Sequence, residues 1–371
     1  MTFLSPVVGV LFSIVGQPLP ELSPPRVDYC QAMQQEIQGK KHGFLAGNKT
    51  YYIGGFHPVW NNAEDETIGF THPFFNDLRC RGRAMVSHPE TGYGHDLSGW
   101  EFYKFTKVAY GSVIVDGIRY ENPIPVSMIW RPDRMICIYE VAGISIQEEK
   151  FITTNDVACT IISSDQPPSL EFEGQRFAGN KTTYTNATCQ LDMANNSIHI
   201  IEGGEGEAIP IRTNGVDVIL TGPLMYEDLN TVISASEPIQ NFTSTDNNGQ
   251  QLYSFTLPCD SNGLSLVWTM DDFYSSAISN ISTVLDDPET AKNSKTEYMN
   301  DILNNEIPYF RCSDQDIVDV YYYLWALQMM YMIDLDEGFE QYPHTQTAVH
   351  NFLRLHRIDA NFQIQVESWA T

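Results

Sequence analysis

Apolar and polar positions alternate along most of the chain between residues 40 and 270. β-Branched and aromatic residues recur in short runs, and Gly, Asn, Asp or Pro separates one run from the next. The runs GSVIVDGIRYE, RMICIYEVAGISIQEEKFITT, DVACTIISS and LSLVWTM are examples. Runs of this kind are typical of antiparallel strands. The pattern therefore predicts a large antiparallel β-sandwich, in which a turn near Asn155 and Asp156 joins two long strands.

The pattern changes near Asp271, where helical periodicity and a proline-interrupted segment replace the alternating runs. Residues 317–335 are then apolar on nearly every side, which is typical of a helix buried by other elements all round. Ser313 and Asp316 match the S/T-x-x-D/E pattern of a helix N-terminus, and Gly338 is placed to end the helix. A second helix, predicted at 345–357, cannot cover the apolar helix at 317–335 alone. We expect either a larger helical domain after Thr371, or cover from the sandwich and a second copy of the chain.

The charge balance limits the possible partners. The sequence has 47 acidic and 21 basic residues, which give a formal net charge of −26. A nucleic-acid-binding protein needs a basic face to neutralise phosphates, and an anionic membrane surface repels an acidic protein. Hydrophobic residues make up 42% of the chain, enough for a substantial core. Neutral and cationic ligands therefore remain, and neither nucleic acid nor a membrane is expected as a partner.

Two features bear on the cellular compartment. The apolar stretch VVGVLFSIVG at 7–16 is shorter than the roughly 20 residues of a membrane span. It fits the apolar region of a signal peptide within residues 1–25, although no Lys or Arg precedes it; a buried edge strand or a disordered leader is the alternative. Six N-x-S/T sequons also favour a secreted or secretory-pathway glycoprotein: Asn48, Asn180, Asn186, Asn195, Asn241 and Asn280.

Cysteine and histidine give no support for a metal or cofactor. The seven cysteines include no C-x-x-C pair, and Cys137 and Cys159 lie in apolar runs typical of buried thiols. A secreted chain could form one or two disulfides, which leaves at least one thiol over. The histidines form neither H-x-H nor H-E-x-x-H, and the Gly-rich stretch at 203–208 has no lysine to bind phosphate. We therefore expect neither a metal nor a cofactor.

The order of a sandwich, a linker helix and the sequence NNEIPYFRCSDQDIVDVYYYLWAL resembles the six-hairpin glycosidases. In that superfamily, which includes glucoamylases and maltose-type phosphorylases, an N-terminal supersandwich leads into an (α/α)6 barrel. The I-P-Y-F motif at 307–310, Asp314 and the aromatic helix at 321–331 carry the resemblance. The resemblance implies a mostly β chain with an α C-terminal part: a large antiparallel supersandwich, a linker helix and the first helical hairpin of the barrel.

This resemblance divides the chain into four segments. They are a possible signal or leader segment at 1–25, a β-sandwich domain at 26–270, a linker with a helix at 271–310, and an incomplete α/α-barrel domain at 311–371. In the resembling families the general acid and base come from later helical loops. The catalytic carboxylate pair is accordingly expected beyond Thr371, and the chain is expected to be an N-terminal fragment.

The candidate substrate site follows the aromatic helix. Asp334, Asp336 and Glu337 cluster where the helix macrodipole disfavours negative charge, and such an uncompensated arrangement marks a candidate functional site. In the resembling barrels this loop faces the sugar, and carboxylates, His, Gln and Tyr hydrogen-bond sugar hydroxyls. The predicted carbohydrate-binding residues are Glu337, Glu340, Tyr342, His344 and Gln346. The alternative is a solvated loop with ordinary caps.

In the sandwich, the aromatic residues have two possible roles. Trp60, Tyr93, Trp100 and Trp130 either form a sugar-stacking surface or anchor the core and loops. Asp133 and Arg134 are expected to form a structural ion pair.

The sequence therefore predicts the N-terminal portion of a glycoside hydrolase that acts on oligo- or polysaccharides. The alternative is a non-catalytic carbohydrate-binding β-sandwich. A polysaccharide lyase is disfavoured, because lyases of that architecture usually place the helical toroid first.

Overall fold

The computed structural model describes a mostly β chain, with antiparallel sheets followed by helices near the C-terminal end. The described residues are 25–36, 69–70, 105–120, 123, 125–155, 157–177, 186–205, 210–213, 216–219, 225–247, 250–260, 262–271, 273–330, 332–333 and 344–345.

Nineteen strands lie within the described residues. In chain order they are β1 (Gln35–Glu36), β2 (Gly69–Phe70), β3 (Phe105–Val115), β4 (Ile118–Tyr120), β5 (Pro125–Trp130), β6 (Met135–Val141), β7 (Ile144–Ile152), β8 (Ala158–Ser164), β9 (Ser169–Phe177), β10 (Asn186–Asp192), β11 (Ser197–Glu205), β12 (Pro210–Thr213), β13 (Val216–Ile219), β14 (Met225–Ala235), β15 (Gln240–Asn247), β16 (Gln250–Pro258), β17 (Leu264–Asp271), β18 (Met332–Ile333) and β19 (His344–Thr345).

Most of these strands form two antiparallel sheets. The larger sheet has nine strands in the order β1-β5-β6-β7-β8-β17-β14-β11-β10. The smaller sheet has the order β15-β16-β9-β3-β2, with β4 paired to β3. Within the described residues, β12 pairs with β13 and β18 with β19 as separate two-stranded sheets.

The two sheets pack face to face around one hydrophobic cluster. In β6, buried and partly exposed residues alternate, so that one face of the strand points inward. Phe172 and Phe255 of the smaller sheet stack at 5.4 Å in the same cluster. The inward residues of the larger sheet include Trp130, Met135, Cys137, Tyr139, Ile162, Ile233 and Trp268. The predicted antiparallel sandwich is therefore confirmed for the described residues.

The turn predicted near Asn155 is also confirmed. The backbone N–H of Thr153 donates to the carbonyl of Val157 at 2.9 Å, and the Thr153 hydroxyl accepts from the Val157 N–H at 3.0 Å. These bonds close the connection between β7 and β8. The hairpin between β6 and β7 is tighter: Ala142 and Gly143 both have positive φ, at 51° and 82°, as a type I′ turn requires.

Four helices lie within the described residues: α1 (Tyr29–Ala32), α2 (Tyr274–Asp286), α3 (Pro288–Asn305) and α4 (Gln315–Met330). Helix α2 covers the outward face of the larger sheet, because its buried residues Ala277, Ile281 and Val284 pack on that face. Their contacts in the sheet and the adjoining turn are Phe151, Val157, Cys159, Val232 and Val267.

Helix α4 differs from its prediction in three details. Asp314, rather than Ser313, caps it, since the Asp314 carboxylate accepts from the Asp316 N–H at 3.1 Å. The helix is also not buried on every side, because Ile317 and Leu324 are 53% and 56% exposed. An all-round apolar sequence does not reveal which face of a helix is covered. The helix ends at Met330, and Met332 and Ile333 form strand β18, so the prediction that it continues to residue 335 and ends at Gly338 is wrong.

Gly174 in β9 is required by a close contact across the smaller sheet. It lies directly opposite Tyr253 of β16, and a Cβ atom at Gly174 would lie 1.9 Å from the Tyr253 Cζ. The Tyr253 side chain is only 3% exposed and has little room to move. We expect Gly174→Ala to lower the free energy of unfolding by about 1–3 kcal/mol, measured by urea denaturation. The double variant Gly174→Ala/Tyr253→Val should cost less than the sum of its single changes, and strict additivity would contradict this contact.

Candidate functional site

Most of the predicted sugar-binding loop lies outside the described residues. Glu337, Glu340, Tyr342 and Gln346 are not among them, and His344 is described at the level of the backbone. His344 pairs with Ile333, and Thr345 with Met332, in an antiparallel ladder. This pairing brings together the two ends of residues 334–343, which contain the predicted carboxylates.

The residues that carry the resemblance contact one another at the start of α4. The Tyr321 hydroxyl donates to the Pro308 carbonyl at 2.7 Å, and the Phe310 N–H donates to the Tyr322 hydroxyl at 3.1 Å. The rings of Phe310 and Tyr321 are 4.8 Å apart. Ile307 is buried in the main hydrophobic cluster. The I-P-Y-F segment is thus fixed to the aromatic helix by paired polar and ring contacts.

The aromatic helix also joins the sandwich to the N-terminal segment. Tyr322 packs on Tyr29 at 4.2 Å between ring centroids, and Tyr323 meets Trp130 edge-on at 5.3 Å. Burial raises the pKa of Tyr29 above its ordinary range. Trp130 has no exposed surface, so of its two predicted roles the structure assigns it to the core. Trp60, Tyr93 and Trp100 lie outside the described residues.

A buried charge cluster between β5 and β6 holds helix α3 on the sandwich. Asp133 accepts from Arg131 Nε at 2.9 Å, from Arg134 at 2.8 Å and from the Thr296 hydroxyl at 2.5 Å. Arg134 also pairs with Glu149 at 3.1 Å, and Glu149 with Lys292 of α3 at 3.3 Å.

The predicted ion pair between Asp133 and Arg134 is therefore confirmed, within a larger cluster than expected. Asp133 is only 2% exposed, and opposite charges and hydrogen bonds surround its carboxylate. A buried carboxylate that is paired in this way fixes the relative positions of the groups around it. The cluster is suited to orient the linker helix.

A second charged pair lies inside the sandwich. Glu148 and Lys150 are 0% and 1% exposed, and their side chains are 3.2 Å apart. The Tyr139 hydroxyl donates to Glu148 at 3.1 Å. Their neighbours Gln147 and Glu149 point to the opposite face of β7. The sequence analysis missed this pair, because a run of polar residues in a strand does not show which alternate positions are inward.

A third polar cluster fastens α2 to the edge of the larger sheet. The Tyr274 hydroxyl donates to Asp192 at 2.5 Å and lies 3.3 Å from the Ser197 hydroxyl. Its ring stacks on His199 at 4.1 Å, and His199 Nε2 lies 2.8 Å from Asn230 Oδ1. The hydrogen bonds from Tyr274 and Asn195 lower the pKa of Asp192 to about 2.

The low pKa of Asp192 predicts a specific pH dependence. Because the folded pKa lies below the unfolded value of about 3.9, its stabilisation is complete above that pH and disappears as pH falls towards about 2. We expect Tyr274→Phe to remove about 1 kcal/mol at neutral pH and to flatten the acid limb, in urea unfolding followed from about pH 5 down to about pH 2. If the free energy of unfolding falls equally with pH in the original protein and in the Tyr274→Phe variant, the prediction is contradicted.

Several other side chains were candidates for chemistry. Cys137 and Cys159 have no exposed surface, as predicted for buried thiols. Cys30, Cys159, Cys259 and Cys312 are free thiols, and burial raises the pKa of Cys30 and of Cys159. Among the described residues, no group of three or more His, Cys, Asp or Glu side chains could hold a metal ion. No helix in this part of the chain is long and apolar enough to cross a membrane.

Comparisons with known proteins give distant structural matches. No family model matches the chain, and no curated protein matches it. Among solved structures, it is similar to a GH92 inverting mannosidase of Bacteroides thetaiotaomicron, with a TM-score of 0.42 and 8% identity over 76% of this chain and 40% of that one. A protein described as a kojibiose phosphorylase from the human microbiome gives a TM-score of 0.38 and 11% identity over 62% and 32% of the two chains.

A third similar structure is a bacterial glucoamylase in complex with acarbose, with a TM-score of 0.36 and 10% identity over 61% of this chain and 32% of that one. The matches therefore span 32–40% of the length of these three proteins.

Proposed function

We propose that this chain is the N-terminal portion of a glycoside hydrolase of the six-hairpin type. The observation that carries the proposal is the junction at α4. A two-sheet antiparallel sandwich is followed by two helices, and then by an aromatic helix on which the I-P-Y-F segment is fixed. These are the same residues and the same order in which the sequence resembles that superfamily.

In this proposal each segment has a separate task. The sandwich at 26–270 is a rigid support, and the linker at 271–310 is clamped to it through Thr296 and Lys292. The segment 311–371 begins the barrel. The carboxylate pair that cleaves the glycosidic bond lies beyond Thr371, where one carboxyl group protonates the leaving oxygen and the other activates water or attacks the sugar.

The loop after α4 supplies sugar contacts in the same proposal. The ladder between Ile333 and His344 holds its two ends together, as a binding loop requires. Glu337, Glu340, Tyr342, His344 and Gln346 then hydrogen-bond sugar hydroxyls. Carboxylates accept from two hydroxyls at once, and the amide and imidazole groups can donate as well as accept.

A secretory location belongs to the proposal too. Asn241, in one of the sequons, is exposed on the edge strand β15, where an attached glycan would meet solvent. Digestion of the native protein with a glycosidase that removes N-linked glycans should lower its mass. An unchanged mass would count against a glycoprotein.

The test requires the whole protein. The native transcript should be sequenced past the codon for Thr371, and the protein that it encodes should be assayed on oligosaccharides with α and β linkages. We expect Glu337→Gln and His344→Ala to raise KM about tenfold or more, since each removes a hydrogen bond to the sugar. Glu297→Gln, at an exposed position on α3, is the matched control and should leave KM unchanged.

Three results would count against the proposal. A stop codon directly after Thr371 would remove the barrel. Full-length protein without turnover on any glycoside would reject the hydrolase, and stoichiometric sugar binding by that protein would favour the non-catalytic carbohydrate-binding sandwich. Unchanged KM in both loop variants of an active enzyme would remove the loop from the site.

A further inference from the structure

The outward face of the smaller sheet contains a groove of about 350 Å³. Strands β9, β15 and β16 form it, on the face opposite to the sandwich core. Its lining residues are Glu173, Gly174, Thr243, Thr245, Leu252, Tyr253 and Ser254. Helix α2 packs on the outward face of the larger sheet, so the groove lies on the other side of the sandwich.

Strand register places three polar side chains of the groove in one row. Thr243 lies opposite Ser254, and Ser254 lies opposite Glu173. Because directly paired residues in antiparallel strands point to the same face, two hydroxyls and a carboxylate line up across the groove. Thr245 lies one step along on the same face, opposite Leu252.

These side chains suit a ligand with many hydroxyl groups. The hydroxyls of Thr243 and Ser254 are 2.8 Å apart and share one hydrogen bond. Each hydroxyl has two acceptor sites and one donor, so a single shared bond leaves further capacity towards the groove. A carboxylate accepts hydrogen bonds from vicinal sugar hydroxyls, and Leu252 gives the C–H face of a sugar ring an apolar contact.

Charge argues against an anionic ligand. Arg119 of β4 pairs with Glu171 and lies 3.7 Å from Glu173, so its positive charge is shared between two carboxylates. The protein as a whole has a formal net charge of −26. Phosphate, sulfate or a uronic acid would be disfavoured by this overall negative charge. A neutral ligand avoids this repulsion.

Size and rigidity also fit a small sugar. The volume of about 350 Å³ lies at the lower end of the roughly 300–1,000 Å³ of small-molecule sites. The lining positions lie on paired strands, which hold side chains more firmly than loops do. Tyr253 is buried against Gly174 on the core side of β9 and β16.

We propose that this groove is a second carbohydrate site, which binds a neutral monosaccharide or disaccharide unit without cleaving it. Glu173, Thr243 and Ser254 hydrogen-bond the hydroxyls, and Leu252 packs beneath the ring. The choice of carbohydrate among neutral polyhydroxylated ligands rests on the proposed function. The site itself is independent of the loop at 334–346 and of any residue beyond Thr371.

The experiment is a titration of the full-length protein with neutral mono- and disaccharides. Saturation-transfer NMR and calorimetry measure the binding. Glucuronate serves as an anionic probe and spermidine as a cationic one. Glu173→Gln, Thr243→Val and Thr245→Val alter the groove, while Glu297→Gln and Thr283→Val alter exposed positions on α3 and α2 as matched controls. Cooperative urea unfolding verifies that each variant is folded. We expect each groove variant to weaken sugar binding about tenfold, while the controls bind normally.

The loop variants Glu337→Gln and His344→Ala separate this inference from the proposed function. Sugar binding that is lost in the groove variants and kept in the loop variants supports the groove, whether or not the protein hydrolyses glycosides. Binding that depends on the loop variants alone overturns the groove and leaves the proposed function standing. Preference for glucuronate or spermidine over neutral sugars, or no binding of any probe, also overturns it.

Discussion

Asp133→Ala is expected to lower the free energy of unfolding by about 3–5 kcal/mol. The Asp133 carboxylate is 2% exposed and accepts from Arg131, Arg134 and Thr296. Its removal leaves the buried guanidinium group of Arg131 and the partly buried one of Arg134 without the carboxylate that lies between them. The cost of uncompensated buried charge exceeds the value of the ion pair itself, because the charges cannot regain their water.

The same substitution should loosen one helix more than the rest of the fold. Thr296 is the residue through which α3 reaches Asp133. Hydrogen exchange should therefore increase first in α3 (Pro288–Asn305), and later in the inner strands of the sandwich. An equal increase in hydrogen exchange in α3 and in the inner strands would contradict the conclusion that Asp133 holds α3 on the sandwich.

The chain provides a matched control on the same helix. Asp301 pairs with Arg26 at 2.6 Å, but the two side chains are 54% and 62% exposed. We expect Asp301→Ala to cost at most about 1 kcal/mol, since exposed ion pairs contribute little. Equal costs for Asp133→Ala and Asp301→Ala in urea denaturation would show that burial does not strengthen the cluster.

The sandwich was predictable because its signal is local. Alternation in β6 and β7, and turn residues between β7 and β8, are properties of adjacent positions, and the structure confirms both. The pair of Asp133 and Arg134 was predictable for the same reason. The contact between Asp133 and Thr296 spans 163 positions, and no local pattern contains such information.

The helix after the linker shows a different limit. The sequence predicted its existence and its aromatic character, but not its covered face. Tyr322 and Tyr323 are buried, whereas the more hydrophobic Ile317 and Leu324 are exposed, so hydrophobicity alone would select the wrong face. Which side is covered depends on the partners Tyr29 and Trp130, and these come from distant parts of the chain.

For the candidate sugar-binding loop, the sequence predicted which residues contact the sugar, and the structure adds one restriction on where the ends of the loop lie. The pairing of Ile333 with His344 places the ends of the carboxylate-rich segment side by side. The groove on the smaller sheet was not predicted. Its row of Thr243, Ser254 and Glu173 depends on the register of three strands, and single Ser, Thr and Glu residues in strands are too common to signal a site.

The largest departure from the sequence pattern is the pair of Glu148 and Lys150 inside the core. We expect Glu148→Ala to lower the free energy of unfolding by about 3–5 kcal/mol, and Lys150→Met to cost a similar amount. Each change removes an oppositely charged partner from a side chain that is almost completely buried. Chemical denaturation measures both losses of unfolding free energy. An unchanged m-value verifies that unfolding remains two-state.

The double variant Glu148→Leu/Lys150→Met tests whether the buried ion pair contributes to the stability of the fold. It replaces both charges by apolar groups of similar size, so we expect a stability within about 1 kcal/mol of the original protein, or above it. Glu289→Ala is the exposed control, because it removes a Glu–Lys pair whose carboxylate side chain is 62% exposed, and it should cost at most about 1 kcal/mol. If the double variant loses as much as the two single changes together, the two charges do not stabilise each other, and each contributes through its other contacts. If it keeps its stability, the buried pair serves another purpose, such as fixing the register of β6 and β7 through the bond from Tyr139 to Glu148.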